Sequence, residues 1–194
     1  QKEVYLPNDF TNPNEPEGME FTWDKTRESE NFILIWGNEA TTDPLNAPDP
    51  NLRFDPEGIL DTLEYIYDEF VDYGFAQDLP GTNLYQYKIV VVMLNTYTVS
   101  NGPHGYLYGG DYDGVIGTLS MAPSASWDGG GMAHELTHAF QNQCRIDYRD
   151  THGLGGFWEN GWTINEGHAN FMRNLLYPQA VSSWGMDWYH IETW

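Results

Sequence analysis

Residues Gly131 to Gln143 read GMAHELTHAFQNQ, and the reading of this stretch decides the fold. Inside it, His134-Glu135-Leu136-Thr137-His138 has the form H-E-x-x-H. Positions i and i+4 of an α-helix lie one turn apart, about 6 Å along the axis and nearly in line. A helix here sends both imidazoles off one face, where they can bind one metal ion. Glu135 sits about 100° round the helix from His134. It is too far round to join the pair, but near enough to touch a water beside the ion. Zinc suits the arrangement, since it takes imidazole nitrogen and keeps one position open for water in catalytic sites. The metal lowers the pKa of that water, and Glu135 is placed to take the proton as general base. Met132, Ala133, Leu136 and Phe140 recur at helical spacing roughly opposite the histidines. The predicted helix therefore buries one face in a core and turns the other to a cleft.

The 194 residues suffice for one domain with a real core. There are 29 acidic and 8 basic side chains, for a formal net charge of −21. Nucleic acid is excluded as a partner, because its phosphates would be repelled. An anionic membrane surface is excluded for the same reason. Neutral or basic substrates are favoured, although acidity also serves solubility. The one cysteine, Cys144, excludes an internal disulfide framework. No apolar run approaches the ~20 residues of a membrane span. Aromatics make up 15% of the chain, with eight Trp, and the chain begins at Gln1 rather than Met. Together these point to a secreted or cell-surface protein that has lost its signal peptide.

Residues 1–30 are rich in Pro, Asn and Glu and read as an irregular arm on the surface. Residues 31–194 then form a single domain, whose aromatic end at Trp194 reads as the start of further chain. Asn31 to Trp36 is a short β-prone run. The prolines at 44, 48 and 50 mark a loop. Asp55-Pro56-Glu57 opens a helix with Ile59, Leu60, Leu63, Ile66, Tyr67, Phe70 and Val71 on its core face, closed by Gly74. Lys88 to Leu94 is a buried strand by composition. Residues 95–114, rich in Gly, Tyr and Asn, read as a loop, in which Asp111 and Asp113 belong to a turn rather than a calcium site. Val115 to Met121 is a further strand. Short and next to the metal helix, it is expected to be the sheet edge beside the cleft, where extended substrate can pair.

A zinc site needs a third protein ligand, and Cys144, His152, Glu159, Glu166, His168 and His190 all lie downstream. One known continuation of H-E-x-x-H requires a glycine and then a histidine. Gln141 and Cys144 occupy those places, so the helix is not told to turn there. Thr163 to Tyr177 reads as a second helix, stopped by Pro178, with Phe171, Met172, Leu175 and Leu176 on its core face. Glu166 lies on the far side, with Asn170 one turn on. His168 is about 200° from Glu166 and faces the core side.

HELTH, followed 28 positions after His138 by Glu166 within INEG at a helix start, resembles the gluzincin, or thermolysin-like, metallopeptidases. SENFILIWG and NEGHANFM also look similar to secreted metallopeptidase-like domains of microbes. The resemblance implies an α+β, zincin-like fold. In it a twisted sheet packs on helices, and His134, His138 and Glu166 hold Zn2+ with Glu135 as base. Where the family often has an acidic residue bonded to a ligand histidine, this chain has Asn170, expected to accept from His134. The oxyanion-stabilising residue lies beyond the third ligand in such enzymes; Tyr177, Tyr189 and His190 are the candidates, His190 being preferred.

The function expected is hydrolysis of peptide bonds in a peptide or protein substrate. Its rival is a non-catalytic zinc-containing domain that binds protein or glycan through its many Trp and Tyr. A purely structural module would leave Glu135 unexplained.

Overall fold

A computed structural model describes residues 1–11, 19–75, 77–99, 102–152 and 162–179. Five strands form one mixed sheet: β1 Thr26–Glu28, β2 Phe32–Ile35, β3 Ile89–Met93, β4 Leu107–Tyr112 and β5 Ile116–Met121, in the order β1-β2-β3-β5-β4. β2, β3 and β5 are parallel, and β1 and β4 run antiparallel at the two edges. The helices are α1 Asn8–Thr11, α2 Pro56–Asp72, α3 Asn83–Gln86, α4 Gly129–His152 and α5 Trp162–Leu176. The protein is thus α+β. No helix among the described residues is long and apolar enough to cross a membrane.

β2 and β3 are buried throughout, as parallel strands covered on both faces must be. Alternation along them divides the core in two. Phe32, Leu34, Val91 and Met93 face α2 and α4, where Ile59, Leu63, Phe70, Leu136 and Phe140 complete one cluster. Ile33, Ile35, Val90 and Val92 face the other way, toward Phe10 and Met19.

That second cluster revises the role expected of the first thirty residues. They are not only a surface arm. Phe10 and Met19 are buried, Val4, Tyr5, Leu6 and Phe21 pack beside them, and Thr26–Glu28 is a strand of the sheet. Scattered aromatics among Pro and Asn carry no periodicity, so their docking on a distant sheet face leaves no local mark.

α2 begins as expected: the Asp55 side chain accepts from the Glu57 amide, with Pro56 at the first helical position. Gly74 and Phe75 close it by donating to Val71 and Phe70.

Two readings of the next segment are corrected. Residues 107–112, read as loop, are strand β4. The strand expected at the edge, β5, lies inside the sheet, paired with β3 and β4. A turn centred on Asp113 and Gly114 reverses the chain between them, with φ of 56° and 64° and the Val115 amide donating to the Tyr112 carbonyl at 2.9 Å. Positive φ at both positions is the hairpin turn that matches strand twist, and Asp-Gly is a favoured pair for it. The turn returns the chain alongside β5 and makes β4 the edge.

Candidate metal centre

α4 and β4 form two walls of a cleft. A Cβ at Gly131 would sit 2.8 Å from Leu107 Cδ2, and one at Gly109 would lie 2.8 Å from His138 Cβ and collide with the Glu135 carbonyl oxygen. Farther along, Arg145 Nη2 donates to Asp111 Oδ2 at 2.9 Å. β4 and α4 therefore run side by side in the same direction. The cleft between them holds about 490 Å³ and is lined by Tyr108, Gly109, His134, Glu135, His138 and Glu166 among others.

Gly109 is what allows this closeness, since any side chain there would push α4 away. Gly109→Ala is expected to destabilise the fold by about 3 kcal/mol, the upper range for overpacking. Urea denaturation measures it. A loss below about 0.5 kcal/mol would show that the strand and helix can separate freely.

At the cleft floor three side chains converge. His134 Nε2 and His138 Nε2 are 3.3 Å apart. Glu166 Oε2 lies 3.3 Å from His134 Nε2, and Glu166 Oε1 lies 3.3 Å from His138 Nε2. Two ligands about 2.0–2.1 Å from a tetrahedral zinc ion are themselves about 3.3 Å apart, so the spacing fits such an ion. The donor set fits as well. Burial, chiefly, and the neighbouring His138 lower the His134 pKa, outweighing Glu166, which favours the neutral imidazole that a metal takes as ligand. A cation shared by the three side chains would satisfy the acceptors that meet here.

Gln141 is the residue that sequence reasoning passed over. Nearly fully buried, it accepts from His138 Nδ1 at 2.9 Å through Oε1. Its Nε2 donates to the Asn165 carbonyl at 3.0 Å and approaches His168 Nδ1 at 3.3 Å. An N–H on Nδ1 leaves Nε2 of His138 as the ligand atom, and the same amide ties α4 to α5. The signal available was its place three positions after His138, one helical turn on.

Asn170 acts on the His134 imidazole, favouring its protonated form. Yet His134 Nδ1 is buried without a partner of full hydrogen-bond geometry among the described residues. Gln141→Leu is thus expected to weaken zinc binding by about 100-fold and Asn170→Ala by about 10-fold, both within the range for such outer partners. Competition with a zinc chelator gives both constants. Equal, unchanged affinities would remove the two amides from the site.

Glu135 lines the same cleft, and its Oε2 accepts from the Gly109 amide at 2.8 Å. Burial pushes its carboxyl up to about 7, with Glu166 adding to the rise and His138 and the Gly109 amide opposing it. A dication in the cluster would pull it back down.

Among the other candidates, His168 stands aside as expected, its ring edge-on to Phe75 with centroids 4.6 Å apart. Tyr177 packs on Gly129 and is not among the residues lining the cleft. Glu159, Tyr189 and His190 lie outside the described residues, as does the side chain of His152.

The described residues thus define an α+β protein with a two-histidine, one-carboxylate cluster that can hold a metal ion. Residues 1–193 match the model of a family described as a family of unknown function (DUF6055), and the chain belongs to that family. No curated protein and no solved structure matches it.

Proposed function

We propose that this protein is a secreted or cell-surface zinc metallopeptidase of the gluzincin type, with a zincin-like arrangement of sheet and helices. The observation that carries the reading is the Glu135 carboxylate. It lies in the cleft with His134, His138 and Glu166, bonded to the amide of an open strand edge. A structural zinc site has no use for such a group, whereas hydrolysis needs one.

His134, His138 and Glu166 would hold the ion. Bound zinc would polarise a scissile carbonyl and lower the pKa of a water beside it. Glu135 accepts the proton of the attacking water at a carboxylate oxygen. It then delivers that proton to the leaving amine nitrogen, which carries away the electron pair of the broken C–N bond. β4 has β5 on one side and no strand on the other among the described residues. Its free edge takes the role first expected of β5 and holds the substrate backbone extended by strand addition.

The rival is a zinc-containing binding domain, favoured by an exposed aromatic in the cleft lining, Tyr108, which is 56% exposed. Zinc-loaded protein offered an unstructured protein separates the two. New peptide termini that a chelator suppresses are expected. Intact substrate at stoichiometric zinc would decide for the rival.

A further inference from the structure

We propose that Arg145 anchors a subsite for a substrate carboxylate, two to three residues from the cleaved bond. The inference rests on the peptidase reading and names a substrate class for the same cleft.

Arg145 lines the cleft and is the one Lys or Arg among the described residues that does so. In a chain with 8 basic and 29 acidic side chains, that placement is uncommon. Its Nη2 donates to Asp111 Oδ2 at 2.9 Å, and its other N–H groups have no hydrogen-bond partner among the described residues. Asp111 does not line the cleft, so the carboxylate stands behind the guanidinium and steadies it. The side chains of Arg145 and Asp111 are 33% and 19% exposed. A guanidinium held from behind, half-shielded from water and with spare donors, suits a carboxylate ligand, which it can meet with two parallel bonds.

Position sets the register. Seven residues separate Arg145 from His138, which places them on nearly the same helix face, about 10 Å apart along the axis. On the facing wall Asp111 is two residues on from Gly109, which touches Glu135 and His138. An extended substrate advances about 3.3 Å per residue, so its second or third residue from the scissile carbonyl reaches Arg145. The net charge of −21 repels acidic peptides at a distance. Screening limits that repulsion to about 8 Å at physiological salt, whereas the subsite acts in contact.

The carboxylate can belong to an acidic side chain or to a chain terminus, and the test has an arm for each. Quenched-fluorescence peptides would carry Glu or Gln at successive positions on both sides of the bond. A second set would end in a free acid or an amide two to three residues beyond it. Wild-type protein is expected to prefer the carboxylate in one set by about 10- to 100-fold in kcat/KM. Arg145→Met should bring that ratio to about one. Asp111→Asn removes the carboxylate oxygen that steadies the guanidinium, so it should lower the ratio.

No preference in the wild type overturns the proposal. So does an Arg145→Met protein that loses both peptides alike and keeps the ratio. If Arg145→Met does not fold, Asp111→Asn decides, and an unchanged or larger ratio overturns it. Fluorescence anisotropy of labelled peptides on zinc-loaded Glu135→Gln protein separates this from the peptidase reading. Carboxylate peptides that bind more tightly through Arg145, with nothing cut by the wild type, uphold the subsite and reject the peptidase. Equal binding of acidic and neutral peptides rejects the subsite.

Discussion

Glu135→Gln is expected to keep its zinc and lose its turnover. Gln is nearly the same shape, and its side-chain oxygen can still accept from the Gly109 amide, which is 2.8 Å from Glu135 Oε2. What it cannot do is take up a proton. General acid–base groups contribute about 10²- to 10⁴-fold, so kcat/KM should fall by that much. Metal analysis of the same sample should still give about one zinc per chain. Burial holds the carboxyl near 7 in the metal-free cleft, and a bound dication lowers it. The base is active when ionised. Activity should therefore fall as pH drops through an acid limb below 7, and the limb should be absent from the residual rate of Glu135→Gln. A variant that cuts at the wild-type rate would reject Glu135 as base.

Removing a ligand should have the second large effect. His134→Ala, His138→Ala or Glu166→Gln is expected to take zinc from about one per chain to none measurable after dialysis. An ion that binds only the folded chain stabilises it by about 4 kcal/mol at a thousandfold excess over Kd. For a domain of this length each kcal/mol is worth about 2–4 °C in Tm, so chelation should lower the wild-type Tm by roughly 10 °C. The ligand variants should already melt at the lower temperature, with no response to chelator. Stoichiometric zinc in a His134→Ala, His138→Ala double variant would sink the site. Zinc lost by Glu159→Gln and kept by Glu166→Gln would make Glu159 the third ligand.

The cluster was legible because its parts are local. Helical spacing alone aligns His134 with His138, and a helix start at INEG with Pro178 beyond its end places Glu166 on one. That the two helices meet is not local, and the resemblance rather than the spacing carried that step. β4 was illegible for the opposite reason. Leu107 to Tyr112 reads LYGGDY, with two glycines and no apolar alternation. Its strand form comes from pairing with β5 and from lying under α4, where Gly109 must be bare. The Asp113-Gly114 pair was the available clue, and it was read as part of a loop rather than as the reversal of a hairpin. From that followed the error over β5. Gln141 left no clue beyond its spacing, since a glutamine on a helix is ordinarily a solvated residue. Only the approach of α5 buries it.

Phe10 and Met19, as the cover of one sheet face, also bear on how the protein behaves in solution. Phe10 and Met19 lie over Ile33, Ile35, Val90 and Val92. A protease cut or gene truncation that removes residues 1–20 would bare this β-branched patch while leaving the His134, His138 and Glu166 cluster, on the other face, in place. Such a fragment would be a sticky particle with that cluster intact, prone to stack sheet on sheet and to precipitate. Its poor solubility would come from the lost cover alone.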